Sequence, residues 1–156
     1  MKIGVVSDSH DNIPAIRKAV RTLDREGVEV VLHAGDFVAP FALKEFLKVK
    51  ALFLGVFGNN DGERAGLAKL SAEIRPGPRL LELGDRKIVL AHTQEDILPA
   101  LWEQASVAVF GHTHKVVVEK GKGLRLNPGE CGGWLTGRRT LAILETETLD
   151  VRIVDL

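Results

Sequence analysis

The stretch that decides the fold is KIGVVSDSH, residues 2–10, in which a short apolar run ends in residues that commonly bind metals. Residues 3–6 are mostly aliphatic, and a run this short that leads into polar residues indicates a buried strand. Asp8 and His10 follow it two positions apart, and side chains two apart in extended chain lie on one side. The stretch therefore predicts a strand whose carboxyl end carries candidate ligands for one ion.

Four further apolar runs end in the same way. Each leads to a side chain with an oxygen or nitrogen donor: Val28 to Leu32 to Asp36, Ala51 to Phe57 to Asn59, Ile88 to Ala91 to His92, and Val107 to Phe110 to His112. In open α/β sheets the working residues gather at the carboxyl ends of the strands. We therefore expect these strand ends to form one site.

Helical patterns separate the first strands and predict a β-α-β arrangement. Asn12 can cap a helix that carries Pro14 near its start and ends at Gly27. Pro40 opens a second predicted helix, and residues 64–73 form a third.

Hairpin patterns dominate the second half of the chain. Leu80 to Leu83 and Lys87 to Ala91 flank a Gly-Asp turn, and residues 96–105 are predicted to be helical. Two more strand pairs follow, at 116–119 with 124–126 and at 141–144 with 151–154. The second half is thus expected to be antiparallel.

Composition indicates a single domain over residues 1–156, because 156 residues with 45% hydrophobic content can bury a sizeable core. Lys and Arg number 21, as do Asp and Glu, so no one-signed field favours a nucleic-acid or membrane partner. Cys131 is the single cysteine, and no signal-length apolar stretch precedes Asp8. We therefore expect a cytoplasmic protein with no membrane association.

The candidate ligands have a charge balance that suits phosphate chemistry. Two divalent cations held by Asp8 and Asp36, with one hydroxide between them, would retain one net positive charge because the remaining ligands are neutral. These are Asn59 and the imidazoles that include the pair His112 and His114. The excess charge would favour an anionic phosphate ester.

Each motif also has a simpler interpretation when it is taken alone. Asp8 could cap the first helix, Asp36 could be a turn acid, and either histidine of the 112–114 pair could be an ordinary core or surface residue. The joint occurrence of all these residues at strand ends favours a metal site. His33 precedes Gly35 and Asp36 and is expected to have a structural or supporting role rather than to bind metal.

The ordered motifs resemble those of the calcineurin-like metallophosphoesterases, in particular their small prokaryotic phosphodiesterase branch. The resemblance covers residues 3–129, and the motifs that carry it are Asp8-x-His10, Gly35-Asp36, Gly58-Asn59-x-Asp61, His92, Gly111-His112-x-His114 and Asn127-Pro128-Gly129. It implies an α/β fold, a four-layer α/β/β/α sandwich of two mixed β-sheets flanked by helices.

The same resemblance implies the ligand assignment and the activity. One metal would take Asp8, His10, Asp36 and His114, and the other would take Asp36, Asn59, His92 and His112, so that Asp36 bridges them. The metals would be two divalent transition-metal ions, Mn, Ni, Fe, Co or Zn. The implied reaction is hydrolysis of small phosphodiesters by a metal-bridging hydroxide, with catalytic residues at Asn59, Asn60 and Asp61.

Two departures from the family pattern affect the chemistry. Many relatives carry His or Cys at position 60 as the presumed leaving-group acid, whereas Asn60 cannot donate a proton as an acid. Glu130 stands where Ser is frequent. Asp61 or a metal-bound water is then the alternative proton source.

The sequence leaves three alternative functions open. The chain could be a phosphomonoesterase or a nuclease of the same fold, although its neutral charge makes nucleic acid an unfavoured partner. It could also be a non-catalytic metal-binding scaffold like the retromer subunit of this fold, although such proteins tend to lose a ligand and none is missing here. A homodimer or homotetramer is compatible with the sequence.

Overall fold

The computed structural model describes all residues 1–156 as two mixed β-sheets packed face to face. The elements in chain order are β1 Lys2–Val6, α1 Ile13–Glu26, β2 Val30–His33, α2 Pro40–Phe46, β3 Leu52–Val56, α3 Arg64–Leu70, β4 Ile74–Arg75, β5 Arg79–Leu83, β6 Arg86–Leu90, α4 Pro99–Trp102, β7 Val107–Val109, β8 Val116–Lys120, β9 Leu124–Pro128, β10 Thr140–Glu145 and β11 Asp150–Asp155. The first sheet has the order β11-β10-β1-β2-β3-β4 and the second β5-β6-β7-β9-β8. The predicted fold class is confirmed.

Successive side chains of a strand point to opposite faces of the sheet, and this divides the core into two clusters. Ile3 and Val5 of β1 point towards the second sheet and join a cluster of 16 buried residues between the sheets. Val6 points the other way, into a cluster of 19 buried residues formed with the helices α1 and α2. Both faces of the first sheet and the inner face of the second are thus covered by apolar side chains, which is the main stabilising contribution in such a layered domain.

The first helix forms as the sequence predicts. The Asn12 side chain accepts a hydrogen bond from the Ala15 N–H at 3.3 Å, which satisfies one of the free donors of the first turn. Pro14 lies at the start of α1, and Gly27 ends it in the left-handed conformation with φ 65°. α1 therefore begins directly after the loop that carries Asp8 and His10.

Two predicted helices are shorter than expected. The helix predicted over 96–105 is confined to α4, because Pro99 disfavours helical geometry at the preceding residue and Leu98 is extended with ψ 148°. The helix predicted over 64–73 ends at Leu70, because Ser71 is extended and the chain enters the short strand β4, which the sequence did not predict. The fourth layer of the sandwich is therefore a single short helix.

The expectation of an antiparallel second half is only partly right. β8 with β9 and β10 with β11 are antiparallel, as predicted. However, β6, β7 and β9 run parallel to one another. Consequently the carboxyl ends of β6 and β7 lie at the same edge, and they bring the segments of His92 and His112 together. No helix has the length and apolarity needed to cross a bilayer.

Candidate metal centre

The backbone of the loops after the strands is unusual at most of the predicted ligands. A positive φ occurs at Asp8 (51°), His10 (41°), Asp36 (62°), His112 (67°) and His114 (60°). Non-glycine residues in this conformation cost roughly 1–3 kcal/mol each and persist only where surrounding structure holds them. Such strain concentrates at functional sites, so it independently marks these residues.

The Asp61 carboxylate is one of the groups that hold these loops. It is buried and accepts hydrogen bonds from the N–H groups of Asp36 (3.0 Å), Val38 (2.8 Å) and Gly58 (2.7 Å). Both oxygens are thus engaged in joining the Asp36 loop to the Gly58 loop. The predicted catalytic role of Asp61 remains a prediction, and the observed contacts are those of a structural anion.

Two glycines permit the close approach of the ligand loops. A Cβ on Gly58 would lie 2.1 Å from Asp36 Oδ1, and a Cβ on Gly111 would lie 2.7 Å from Asp8 Oδ2. These distances are far below van der Waals contact. Glycine at positions 58 and 111 is therefore a steric requirement for the two carboxylates to reach the site.

The first ligand group consists of Asp8, His10 and His114, whose donor atoms lie within 4.8 Å of one another. Asp8 Oδ1 is 3.5 Å from His114 Nε2 and 3.9 Å from His10 Nε2, and the two imidazoles stack with centroids 5.2 Å apart. Donors that share one ion through bonds of about 2.1 Å in tetrahedral geometry are separated by about 3.4 Å. The spacing fits a common cation.

Unpaired polar atoms support the same conclusion. Asp8 Oδ1 and His10 Nε2 are both buried and make no hydrogen bond. Burial raises the pKa of the Asp8 carboxyl above its usual range, because the charged form has no solvent and too little compensating charge nearby. Buried polar atoms normally have partners, so a divalent cation at these atoms would supply the missing interaction.

Asp36 lies in the middle of the site. Its Oδ2 atom is 3.5 Å from Nε2 of His10 and 3.6 Å from Nε2 of His92, so one carboxylate oxygen faces an imidazole of each ligand group. Asn60 donates to both oxygens of this carboxylate, from its backbone N–H at 2.8 Å and from its side-chain amide at 2.8 Å. Asp36 therefore lies between the imidazoles of His10 and His92.

The second ligand group contains Asn59, His92 and His112. Asn59 Oδ1 is 2.8 Å from His92 Nε2 and 3.0 Å from His112 Nδ1. His92 Nδ1 is 2.7 Å from the Ala34 carbonyl oxygen, which can only accept, so the neutral ring carries its proton on Nδ1. Nε2 then faces another acceptor, an arrangement that a cation bound to both atoms would stabilise.

Glu130 is a buried acid beside the site, in a position that the sequence did not predict. It is fully buried, and its Oε2 lies 2.9 Å from His114 Nδ1. It also accepts from the N–H groups of Trp134 (2.8 Å), Leu135 (3.1 Å) and Thr136 (2.5 Å) and from the Thr136 hydroxyl (2.6 Å). Burial raises the pKa of Glu130, but the hydrogen bonds from Thr136, His114 and Leu135 outweigh it and lower the pKa to about 2.

The ionised Glu130 determines the orientation of His114. Because the carboxylate only accepts, His114 donates from Nδ1 and presents the lone pair of Nε2 to the first ligand group. A carboxylate behind a ligating imidazole fixes the tautomer and raises the basicity of the ligand. The sequence feature that could have pointed to Glu130 is its position directly after an Asn-Pro-Gly turn.

His33 is held away from the ligand groups. Its ring stacks on Phe37 with centroids 3.8 Å apart, and its Nδ1 accepts from the Gly35 N–H at 3.1 Å. Burial lowers the pKa of His33 well below its usual value, so the ring is neutral. These contacts agree with the expected supporting role.

All seven predicted metal ligands are therefore brought into one connected cluster by the strand ends. Asp8 contacts both His114 and the backbone N–H of His112, Asp36 faces both groups, and Asn59 connects His92 to His112. The cluster combines two carboxylates, one amide and four imidazoles. This donor set suits divalent transition metals.

Comparison with known proteins places this cluster in context. Residues 1–149 match the family model described as the calcineurin-like phosphoesterase superfamily domain. The chain is similar to the phosphodiesterase MJ0936 of Methanocaldococcus jannaschii, with 39% identity over 165 residues that cover 100% of this chain and 99% of the relative.

Solved structures give the same result. A structure described as a novel archaeal phosphodiesterase superposes with a TM-score of 0.91 at 40% identity and covers 100% of both chains. A Vps29 single mutant from Entamoeba histolytica superposes with a TM-score of 0.73 at 18% identity, covering 100% of this chain and 99% of that one. The second likeness is one of fold alone.

Proposed function

The chain belongs to the calcineurin-like phosphoesterase superfamily, and from this membership we propose that it is a dinuclear, metal-dependent phosphodiesterase. The observation that carries the proposal is the position of Asp36 Oδ2, which faces one imidazole from each ligand group. The similarity to an archaeal phosphodiesterase over the full length of the chain supports diesters as the substrate class.

The residues present would hold two divalent ions in unequal surroundings. Asp8, His10 and His114 would hold one ion, Asn59, His92 and His112 would hold the other, and Asp36 would be shared. Such a pair of ions, when bound, supplies an activated water near neutral pH and stabilises negative charge on the phosphate oxygens. Mn, Ni, Fe, Co and Zn all suit these ligands.

The residues of the chain contribute orientation and charge. The neutral Asn59 leaves the site a net positive charge that a carboxylate at this position would cancel, and this charge favours binding of the diester anion. Glu130 and the Ala34 carbonyl fix the tautomers of His114 and His92. Asn60 hydrogen-bonds Asp36 and cannot act as an acid, so the proposal favours substrates whose leaving group is stable as an anion.

The location proposed for the protein is the cytoplasm. Cys131 is the single cysteine, and it is free and fully buried, which is consistent with a reducing compartment. Burial raises the pKa of its thiol to about 12, so this cysteine is chemically inert.

The proposal is tested by a hydrolysis panel on metal-free protein reloaded with each divalent metal in turn. The panel contains an aryl phosphodiester, an aryl phosphomonoester and a cyclic nucleotide. We expect turnover of the aryl diester to disappear on chelation and to return with Mn or Ni, with slower turnover of the monoester. Protein that binds two ions but hydrolyses none of the esters would favour the scaffold alternative.

A further inference from the structure

The two flanks of the metal centre differ in chemistry. Beside the first ligand group lie Trp134 and Leu135, two of the most exposed large apolar side chains of the protein, at 63% and 77% exposure. Beside the second group lies a polar cavity. A phosphodiester has two ester arms that diverge from the phosphorus, so each flank is positioned to receive one arm.

Trp134 is hydrogen-bonded beside the first ligand group through both its indole and its backbone. Its indole N–H donates to the backbone carbonyl of His10 at 3.1 Å, and its backbone N–H donates to Glu130 Oε2 at 2.8 Å. Glu130 in turn contacts His114, so the indole bonds directly to one residue of the first ligand group and the backbone is linked to another through Glu130. The ring nonetheless remains mostly exposed, and an exposed indole oriented by a hydrogen bond is suited to stacking on a planar group.

The cavity on the other flank has a volume of about 230 Å³. Its lining includes Phe57, Asn59, Arg64, His92, Thr93 and Asp96. Because Asn59 and His92 belong to the second ligand group, the cavity opens directly onto the site of the second metal.

Arg64 gives this cavity an oriented cation. Its Nε donates to the Asp61 carbonyl at 3.2 Å and its Nη2 to the Gly58 carbonyl at 3.0 Å, and the guanidinium lies over the Phe57 ring at 5.4 Å. The Nη1 atom has no protein partner. Arg64 makes no ion pair, so the cavity offers a free N–H donor, with the Thr93 hydroxyl and the Asp96 carboxylate also in its lining.

We infer that the substrate is an asymmetric phosphodiester, with a planar aromatic group on one arm and a small hydroxylated group on the other. The aromatic arm stacks on Trp134, and the hydroxylated arm occupies the cavity and hydrogen-bonds Arg64. This inference rests on the proposed phosphodiesterase function and specifies its substrate class. It also agrees with Asn60, because an aryl group leaves as a stable anion without an acid.

The test uses two p-nitrophenyl phosphodiesters whose second arm is glyceryl or propyl, which differ only in the two hydroxyl groups. Only turnover that yields the open-chain glyceryl phosphate is counted, because a glyceryl hydroxyl can also attack the phosphorus and expel nitrophenolate to give a cyclic phosphate. We expect the Mn-loaded protein to prefer the glyceryl ester by about tenfold in kcat/KM, as for loss of a hydrogen bond to a charged group. Arg64→Ala should abolish this preference. The matched control Arg75→Ala, at another exposed arginine, should retain it.

The aromatic arm is tested in the same assay. Trp134→Ala should raise KM for both esters by about tenfold, in the range of base–aromatic stacking, with metal affinity unchanged. Trp134→Phe should recover most of the loss, because the ring is retained although the indole N–H is absent. The control Leu52→Ala, at an exposed residue at the amino end of β3, should have no effect.

The outcomes distinguish failure of the proposed phosphodiesterase function from failure of the substrate inference. If neither ester is hydrolysed, the proposed function itself fails. If both are hydrolysed and the glyceryl preference is absent or survives in Arg64→Ala, or if Trp134→Ala leaves KM unchanged, the substrate inference is overturned. Arg64→Ala could also lower kcat/KM equally for both esters and weaken metal binding. That result would show that Arg64 only stabilises the Gly58–Asp61 loop, and it would likewise overturn the substrate inference.

Discussion

The two ligand groups of the metal centre differ in charge, burial and support. The first group has its own carboxylate, Asp8, which is fully buried, and its His114 is backed by the ionised Glu130. The second group has the neutral Asn59 in place of a carboxylate, and Asn59 and His112 are exposed. Its His92 is backed only by a backbone carbonyl, that of Ala34.

This difference predicts unequal metal affinities. An additional carboxylate and a charged partner behind an imidazole both strengthen cation binding, and burial reduces competition from water. The first group should therefore bind its ion more tightly, and the second should exchange its ion more readily. If two ions bind as proposed, the same asymmetry would leave the ion of the second group more accessible to the substrate.

The largest effect is expected for substitution of Asp36, the carboxylate that we propose both groups share. Asp36→Asn should lower the metal content to fewer than one ion per chain and reduce kcat by roughly a thousandfold or more, because charge stabilisation is lost at both ions. The control Asp24→Asn removes a carboxylate that accepts only from the Lys50 N–H, and it should retain activity. Metal content by elemental analysis and turnover of an aryl diester are the measurements.

Substitution of one histidine in each ligand group should weaken a different metal-binding event. His114→Ala should weaken the tighter of two binding events, and His112→Ala should weaken the other, while each lowers kcat by on the order of a hundredfold. Calorimetric titration with Mn distinguishes the two. Full turnover of His112→Ala at saturating metal would require withdrawal of His112 from the ligand set.

Glu130 tests the comparison through a residue that is not one of the proposed metal ligands. Glu130→Gln keeps the size of the side chain but removes the charge that orients His114, and loss of such a partner costs about 10–100-fold in metal affinity. Only the tighter of the two metal-binding events should be weakened. Competition with a chelator measures the affinity of each event. Equal weakening of both events would indicate a general structural defect of the 134–136 turn instead.

The smallest effect is expected at Asn60, beside Asp36, and concerns protonation of the leaving group. Asn60→His should raise kcat for alkyl diesters by about tenfold and leave aryl diesters nearly unchanged, because only poor leaving groups need an acid. The measurement is log kcat against the pKa of the leaving group. A flat dependence in the unmodified protein would show that protonation is already provided by another group.

The strand ends illustrate how much the sequence can predict. Apolar runs that terminate in Asp8, Asp36 and His92 are local patterns, and the parallel pairing of β1 with β2 collects the first two of these ends at one edge. His92 follows β6 of the second sheet, so its approach to them depends instead on how the two sheets pack. The Asn12 cap and the Gly27 stop of α1 are equally local. These features were therefore predictable from periodicity and composition.

Other features depend on contacts that are distant in sequence. Glu130 is recognisable only when the fold places it behind His114, and the parallel alignment of β6, β7 and β9 is determined by sheet pairing rather than by any local pattern. The structural contacts of Asp61 likewise require Val38, which lies 23 positions away in the chain. Tertiary pairing of this kind leaves no periodic signature in the sequence.

The most direct test of a dinuclear centre with a shared Asp36 is stepwise loading of metal-free protein with Mn, followed by calorimetry and by turnover of an aryl phosphodiester in the same samples. We predict two binding events per chain, a tight one that produces little turnover and a weaker one that coincides with the appearance of activity. Activity that is complete at one ion per chain would contradict the account.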